Sequence, residues 1–204
     1  MRSDYVGHLT AAGREAVIAY GMTTVIDLRS PGELVKSPNP LATATDIAYI
    51  HLPLVDDANM RELGDAADMY DRYLMILEQG QAAFCGVFNA VAASEGGLVF
   101  HCFAGKDRTG LVAAMLLAMA GVTTDAIVAD FGETDIQLAV KYERWINEAT
   151  PERRQSIRDE LRCPPEWILG VLDHLDRKWG GVASYLEAAG VSANHIDRVS
   201  SKLA

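Results

Sequence analysis

The chain has 204 residues and a net charge of −10; half of it is hydrophobic and 23% is charged. That length suits one domain, residues 1–204, with a substantial core, and the balance is that of a globular protein rather than a disordered one. The acidity excludes a general nucleic-acid binder, which needs a basic face, and it argues against strong docking on anionic lipid.

Taken in chain order, Met1 to Tyr5 shows no apolar stretch of the signal-peptide kind. Leu9 to Tyr20 reads as a helix with Thr10 as its cap and Gly21 at its end. Thr23 to Leu28 is a β-branched apolar run that fits a buried strand, and Ser30-Pro31-Gly32 turns the chain after it. Ser37 to Pro40 reads as a loop, and Ile47 to Leu54 as a second strand closed by Pro53. A helical stretch from Ala66 to Ser94 breaks at Gly80, and Gly96-Gly97 ends it. Leu98 to His101 is a short apolar strand, Cys102 to Arg108 a loop, and Thr109 to Ala120 an apolar helix. The longest apolar run, Leu111 to Val122, covers 12 residues, where a membrane span needs roughly 20. No stable membrane insertion is therefore expected. From Thr123 onward nearly everything reads as helix, punctuated by Thr150-Pro151, Cys163-Pro164-Pro165 and Gly180-Gly181. The fold class is α/β, with no repeat or composition shift that divides the chain.

Three cysteines, Cys85, Cys102 and Cys163, do not make a disulfide framework. A reducing, cytoplasmic setting is expected, with export by a route that uses no such signal left open.

The segment His101-Cys102-Phe103-Ala104-Gly105-Lys106-Asp107-Arg108-Thr109-Gly110 carries the chemistry. A loop between an apolar strand and an apolar helix can turn successive backbone N–H groups inward and lead into a helix N-terminus, and both attract a dianion such as phosphate. Gly105 allows backbone angles that a side chain forbids. The same features lower the pKa of a thiol, so a loop that binds phosphate also activates Cys102 as a nucleophile. Arg108 presents a planar fork for two phosphate oxygens, and Thr109 offers a hydroxyl to the sulfur. Phe103, Ala104, Gly105, Lys106, Thr109 and Gly110 are therefore expected to line the substrate phosphate. Cys85 and Cys163 read as small core or loop residues. The five histidines, His8, His51, His101, His174 and His195, show no metal-ligand spacing, and the chemistry calls for neither metal nor cofactor.

These residues resemble the signature of the protein tyrosine phosphatase superfamily: His-Cys, five residues, Arg, then Ser or Thr. The closer likeness is to bacterial tyrosine/serine phosphatases with His-Cys-x-Ala-Gly-Lys-Asp-Arg-Thr-Gly, which resemble both dual-specificity and phosphoinositide phosphatases. Arg2-Ser3-Asp4, Leu9 to Gly13, Val25-Ile26-Asp27-Leu28-Arg29, Trp179-Gly180-Gly181, Tyr185-Leu186 and Gly190 extend the likeness over most of the chain. The resemblance implies a small central, mostly parallel sheet flanked by helices, with a helix-rich C-terminal half. It also implies a phosphorylated protein or phosphoinositide as the substrate. The family begins with a segment around Asn-Phe-Arg-Asp-Leu-Gly-Gly, and this chain starts just after its place, so a naturally short protein and a truncated one are both open.

For the general acid, many superfamily members use an Asp thirty to forty residues before the cysteine. Asp68 and Asp71 lie at that distance, with Asp56 and Asp57 somewhat farther. The closer resemblance points instead to Asp107, inside the loop, as acid and base. It also suggests Lys106 as a contact for a second phosphate or acidic group, and Asp27 and Arg29 as rim residues for substrate; the alternative for that pair is a turn ion-paired with Glu33. Within residues 130–162, Lys141, Arg144, Arg153, Arg154, Arg158 and Arg162 alternate with acids. They read as a solvated helix face or, by resemblance, as a helical lid. Two rival functions remain: a phosphate-binding module without turnover, and a rhodanese-type sulfur-transfer enzyme, whose loop does not need Arg at this spacing.

Overall fold

The computed structural model describes residues 1–203. Four strands, β1 (Arg2–Ser3), β2 (Met22–Asp27), β3 (Ala48–His51) and β4 (Gly97–His101), form one all-parallel sheet in the order β1-β4-β2-β3. Side chains alternate across its pleat. Val25 and Val99 face a small cluster with Val6, Met22, Leu41 and Ile47, whereas Ile26 and Phe100 face the main core. The helix α1 (Ala11–Ala19) begins at Thr10, whose hydroxyl accepts from the Gly13 N–H, as a Thr cap should.

After β2 the chain enters a short helix, α2 (Pro31–Lys36), where the sequence suggested only a turn. The signal was present: Ser30 and Glu33 form a reciprocal capping box and Pro31 occupies the first turn. The helical stretch expected from Ala66 likewise starts later. A helix α3 (Asp57–Glu62) and one 3-10 turn (Leu63–Asp65) precede α4 (Met69–Gln79), which ends at Gly80 before α5 (Gln81–Ala93). Asp56 and Asp68 cap α3 and α4 by accepting the N–H groups of Asn59 and Asp71 at 2.7 and 2.9 Å.

The central helix α6 (Asp107–Met119) carries Leu111, Val112 and Met115 with no exposed surface. Each such burial stabilises the fold by about 1.5–3 kcal/mol. Around it pack α7 (Thr124–Gln137), α10 (Pro165–Trp179), α11 (Val182–Ala188) and α12 (Ala193–Leu203), while α8 (Ala139–Glu148) and α9 (Arg154–Leu161) lie between α7 and α10 in the chain. No helix among the described residues is long and apolar enough to cross a membrane.

Strand register fixes where the site lies. Ser3, His101, Asp27 and His51 stand in one row across β1, β4, β2 and β3. That row is the C-terminal edge of the sheet, where open α/β sheets build their sites.

Candidate active site

Beyond His101 the chain leaves β4 as the loop Cys102 to Lys106 and enters α6 at Asp107. Lys106 occupies the N-cap position and its side chain makes no capping bond. The positive end of the helix therefore faces the loop without a capping side chain on its N–H groups, with Asp107 in its first turn. Gly105 has φ +73°, and a Cβ there would lie 2.8 Å from the backbone of Ser3 and Asp4. Both the left-handed backbone and the close approach of the segment after β1 require glycine. Cys102 is 2% exposed at the base of this turn. The Thr109 hydroxyl is buried with no hydrogen-bond partner, so the expected bond to the Cys102 sulfur is not made.

Arg108 is gripped from α2. Its Nη1 and Nη2 donate to Glu33 Oε2 and Oε1 at 2.5 and 2.8 Å. Burial opposes the charge on each, but the pairing outweighs it: the Arg108 guanidinium is held above its ordinary range and the Glu33 carboxyl below its own. Each terminal nitrogen of Arg108 spends one N–H on Glu33, which leaves three of its five donors for a ligand. Glu33 thus pairs with Arg108, not with the Asp27–Arg29 turn. Nothing local in the sequence announces that partnership.

Asp107 is set between two donors. The Tyr73 hydroxyl donates to its Oδ1 at 2.6 Å, and the Lys106 ammonium lies 3.1 Å from the same oxygen. Lys106 does not reach toward a second phosphate. It is 1% exposed, donates to the Glu160 carbonyl at 2.6 Å and lies 5.1 Å from the centre of the Trp167 ring. Burial beneath α9 and α10 thus corrects the expectation of a rim cation.

Asp27 and Arg29 are also corrected in place: both side chains are fully buried, not on a rim. Arg29 donates through Nε and Nη2 to the two oxygens of Asp27 at 2.9 and 2.7 Å. Asn39 donates one amide hydrogen to Asp27 at 3.0 Å and directs the other to His101 Nε2 at 3.0 Å. His101 Nδ1 lies 2.9 Å from the Cys102 carbonyl. These partners define a neutral imidazole that donates through Nδ1 and accepts at Nε2. Burial pushes the imidazole below its ordinary basicity, which agrees with that state. For Asp27, burial favours the neutral acid, yet the hydrogen bonds from Arg29 and Asn39 prevail and hold the carboxyl at about 2. The network braces the first peptide of the loop from beneath.

Above the loop, the ring of Phe103, 43% exposed, stacks on Trp145 of α8 at 5.9 Å with planes 16° apart. Lys141 of the same helix pairs with Asp4 at 3.1 Å. The Tyr142 hydroxyl is buried with no hydrogen-bond partner, and burial, followed by the nearby Cys163 and Asp107, raises it well above its ordinary range. Beside Asp107 and Arg108 opens a cavity of about 150 Å³, walled by Val55, Met60, Leu63 and Tyr73. Asp57 receives the Gly32 N–H at 2.9 and 3.1 Å. The upstream candidates Asp56, Asp57 and Asp68 thus serve helix ends. Sequence reasoning missed Glu33, Tyr73, Tyr142 and Trp145 as parts of the site; only the capping box at Ser30–Glu33 left a trace.

A family model described as the tyrosine phosphatase family matches residues 1–204. The chain is 31% identical over 215 residues to a tyrosine-protein phosphatase of Nostoc commune, covering 100% of this chain and 73% of that protein. It is 28% identical over 243 residues to the triple specificity protein phosphatase PtpB of Mycobacterium tuberculosis, covering 97% and 88% respectively.

Proposed function

Because the chain belongs to the tyrosine phosphatase family, we propose that residues 102–108 are its phosphate-binding P-loop, with Cys102 as nucleophile, Arg108 as clamp and Asp107 as general acid and base. The protein is a hydrolase acting on phosphate monoesters, a protein tyrosine or dual-specificity phosphatase. The observation that carries the assignment of roles is the two-pronged Glu33–Arg108 pair. It orients a guanidinium on the same turn that begins with a buried cysteine and ends in an uncapped helix N-terminus.

In the first step the Cys102 sulfur attacks phosphorus, the bond to the leaving oxygen breaks, and Asp107 gives that oxygen its proton. The product is a phosphocysteine. In the second step Asp107 takes a proton from water, whose oxygen attacks phosphorus; the sulfur–phosphorus bond breaks and phosphate leaves. Loop N–H groups, the α6 terminus and the free donors of Arg108 hold the equatorial oxygens throughout.

The apolar walls of the cavity beside Asp107 and Arg108 support an aryl ester as the leaving group, which favours phosphotyrosine. Lys106 is committed to Asp107, Glu160 and Trp167, so phosphoinositides rank behind phosphoprotein. We read the whole chain as one phosphatase domain, with α8 and α9 as its cover within residues 130–162. The Phe103–Trp145 stack and the Lys141–Asp4 pair support that reading. A catalytic thiol alongside two other free cysteines suits a reducing compartment, here the cytoplasm.

The test is hydrolysis of para-nitrophenyl phosphate, without added metal and with reductant, by the wild type and by Cys102→Ser. Turnover by the first alone is expected. Turnover by neither favours a binding module, and equal turnover removes Cys102 from the mechanism.

A further inference from the structure

Tyr73 reaches Asp107 from a different layer of the fold. It sits on α4, 34 residues upstream, with no exposed surface. Its ring is caught edge-on between Phe131 of α7 (6.3 Å, 87°) and Trp167 of α10 (6.0 Å, 90°). Three helices therefore fix the position of one hydroxyl. That hydroxyl donates to Asp107 Oδ1 at 2.6 Å, and Lys106 supports the same oxygen. No hydrogen bond engages Asp107 Oδ2 among the described residues. One carboxylate oxygen is held and the other is left for chemistry.

We propose that Tyr73 is a positioning residue for proton transfer: it holds Asp107 by Oδ1 so that Oδ2 meets the leaving oxygen of the substrate. The inference rests on the reading of Asp107 as the general acid. Tyr73 also lines the apolar cavity that reaches Asp107 and Arg108, so holding the acid and bounding the leaving-group space are done by one residue.

The surroundings keep this donor constant. Burial, followed by the nearby Asp107 charge, keeps the Tyr73 hydroxyl protonated far above neutral pH. Burial likewise raises Tyr142 on α8, and it pushes the Cys163 thiol beyond α9 up to about 12. The Arg108 guanidinium next to Asp107 is held above its ordinary range, so it stays charged. Tyr73, kept protonated, therefore donates its hydrogen bond throughout the working range.

The experiment compares wild type, Tyr73→Phe and Asp107→Asn on two esters, para-nitrophenyl phosphate and phenyl phosphate. The first leaving group departs with little protonation, and the second needs the acid. The quantity read is kcat/KM, which reports the step that transfers phosphate to the cysteine. Tyr73→Phe is expected to lose about tenfold more on phenyl phosphate than on para-nitrophenyl phosphate, part of what a general acid supplies. A melting temperature near the wild type's certifies a folded enzyme. In addition, the basic limb of its pH profile moves to higher pH, because a donor to the ionised carboxylate is gone. Equal losses on both esters, or a profile and leaving-group dependence like the wild type's beside a strongly dependent Asp107→Asn, overturn the role of Tyr73 alone. If Asp107→Asn itself spares phenyl phosphate, the assignment of Asp107 falls first, and that of Tyr73 falls with it.

Discussion

Glu33 and Arg108 lie 75 residues apart and meet through two parallel hydrogen bonds of 2.5 and 2.8 Å. The carboxylate belongs to the first turn of α2, where it also closes the capping box on the Ser30 N–H. One acid therefore ties the helix after β2 to the loop after β4.

Glu33→Gln tests whether this pairing orients the clamp. Gln preserves the capping geometry and the volume but not the charge. The expected result is a loss of about tenfold or more in kcat/KM for para-nitrophenyl phosphate, together with weaker inhibition by phosphate, because Arg108 no longer has a fixed fork partner. A melting temperature near that of the wild type separates this from unfolding.

Gly105→Ala should disable the loop. At φ +73° a side chain is strained, and its Cβ would press on the Asp4 backbone at 2.8 Å. Strain of this kind costs about 1–3 kcal/mol. Relief requires moving either the loop or the β1 segment. Thermal unfolding and turnover together should show both effects, and an active, fully stable variant would contradict the packing described.

The buried Asp27–Asn39–His101 network predicts a stability profile with two windows. The folded imidazole is less basic than its ordinary 6.5, so the unfolded chain gains a proton first, and stability declines as pH falls below that value. The folded Asp27 carboxyl lies at about 2 against an ordinary 3.8, so its contribution is complete above 3.8 and is lost as pH falls toward 2. That difference corresponds to about 2 kcal/mol. Denaturant unfolding across pH should show both declines, and Asp27→Asn should flatten the lower one while weakening the protein at neutral pH.

Trp145→Ala should loosen the cover. Removing the stack on Phe103 leaves Lys141–Asp4 as the remaining tie described between α8 and the loop region. Alkylation of Cys102, followed by mass spectrometry to separate it from Cys85 and Cys163, is expected to quicken. Amide exchange across α8 and α9 should rise with it. Unchanged rates in both would mean that these helices do not shield the thiol.

The strand–loop–helix course from His101 to Gly110 was legible because it is set locally. A strand end, a glycine turn and a helix start are set by neighbouring residues, and Cys102, Asp107 and Arg108 ride on consecutive backbone. The α/β class followed from β-branched runs alternating with helical stretches, and the mostly parallel sheet from the family resemblance. The short helix α2 was also readable, since Ser30, Pro31 and Glu33 spell a helix start that a turn reading overlooked.

What only the tertiary structure decided is which side chains face which. Glu33 reaches Arg108, Tyr73 reaches Asp107 and Trp145 covers Phe103 because separate helices pack against one sheet edge. Lys106 was expected to contact substrate from the family resemblance, and Asp27 and Arg29 to lie on its rim from the resemblance and their place at a strand end. They are buried because each found a partner that offsets its lost hydration: Lys106 in Asp107 and the Glu160 carbonyl, Asp27 and Arg29 in each other. Local sequence encodes backbone conformation through contacts a few residues apart, whereas the pairing of buried charges depends on how distant elements meet.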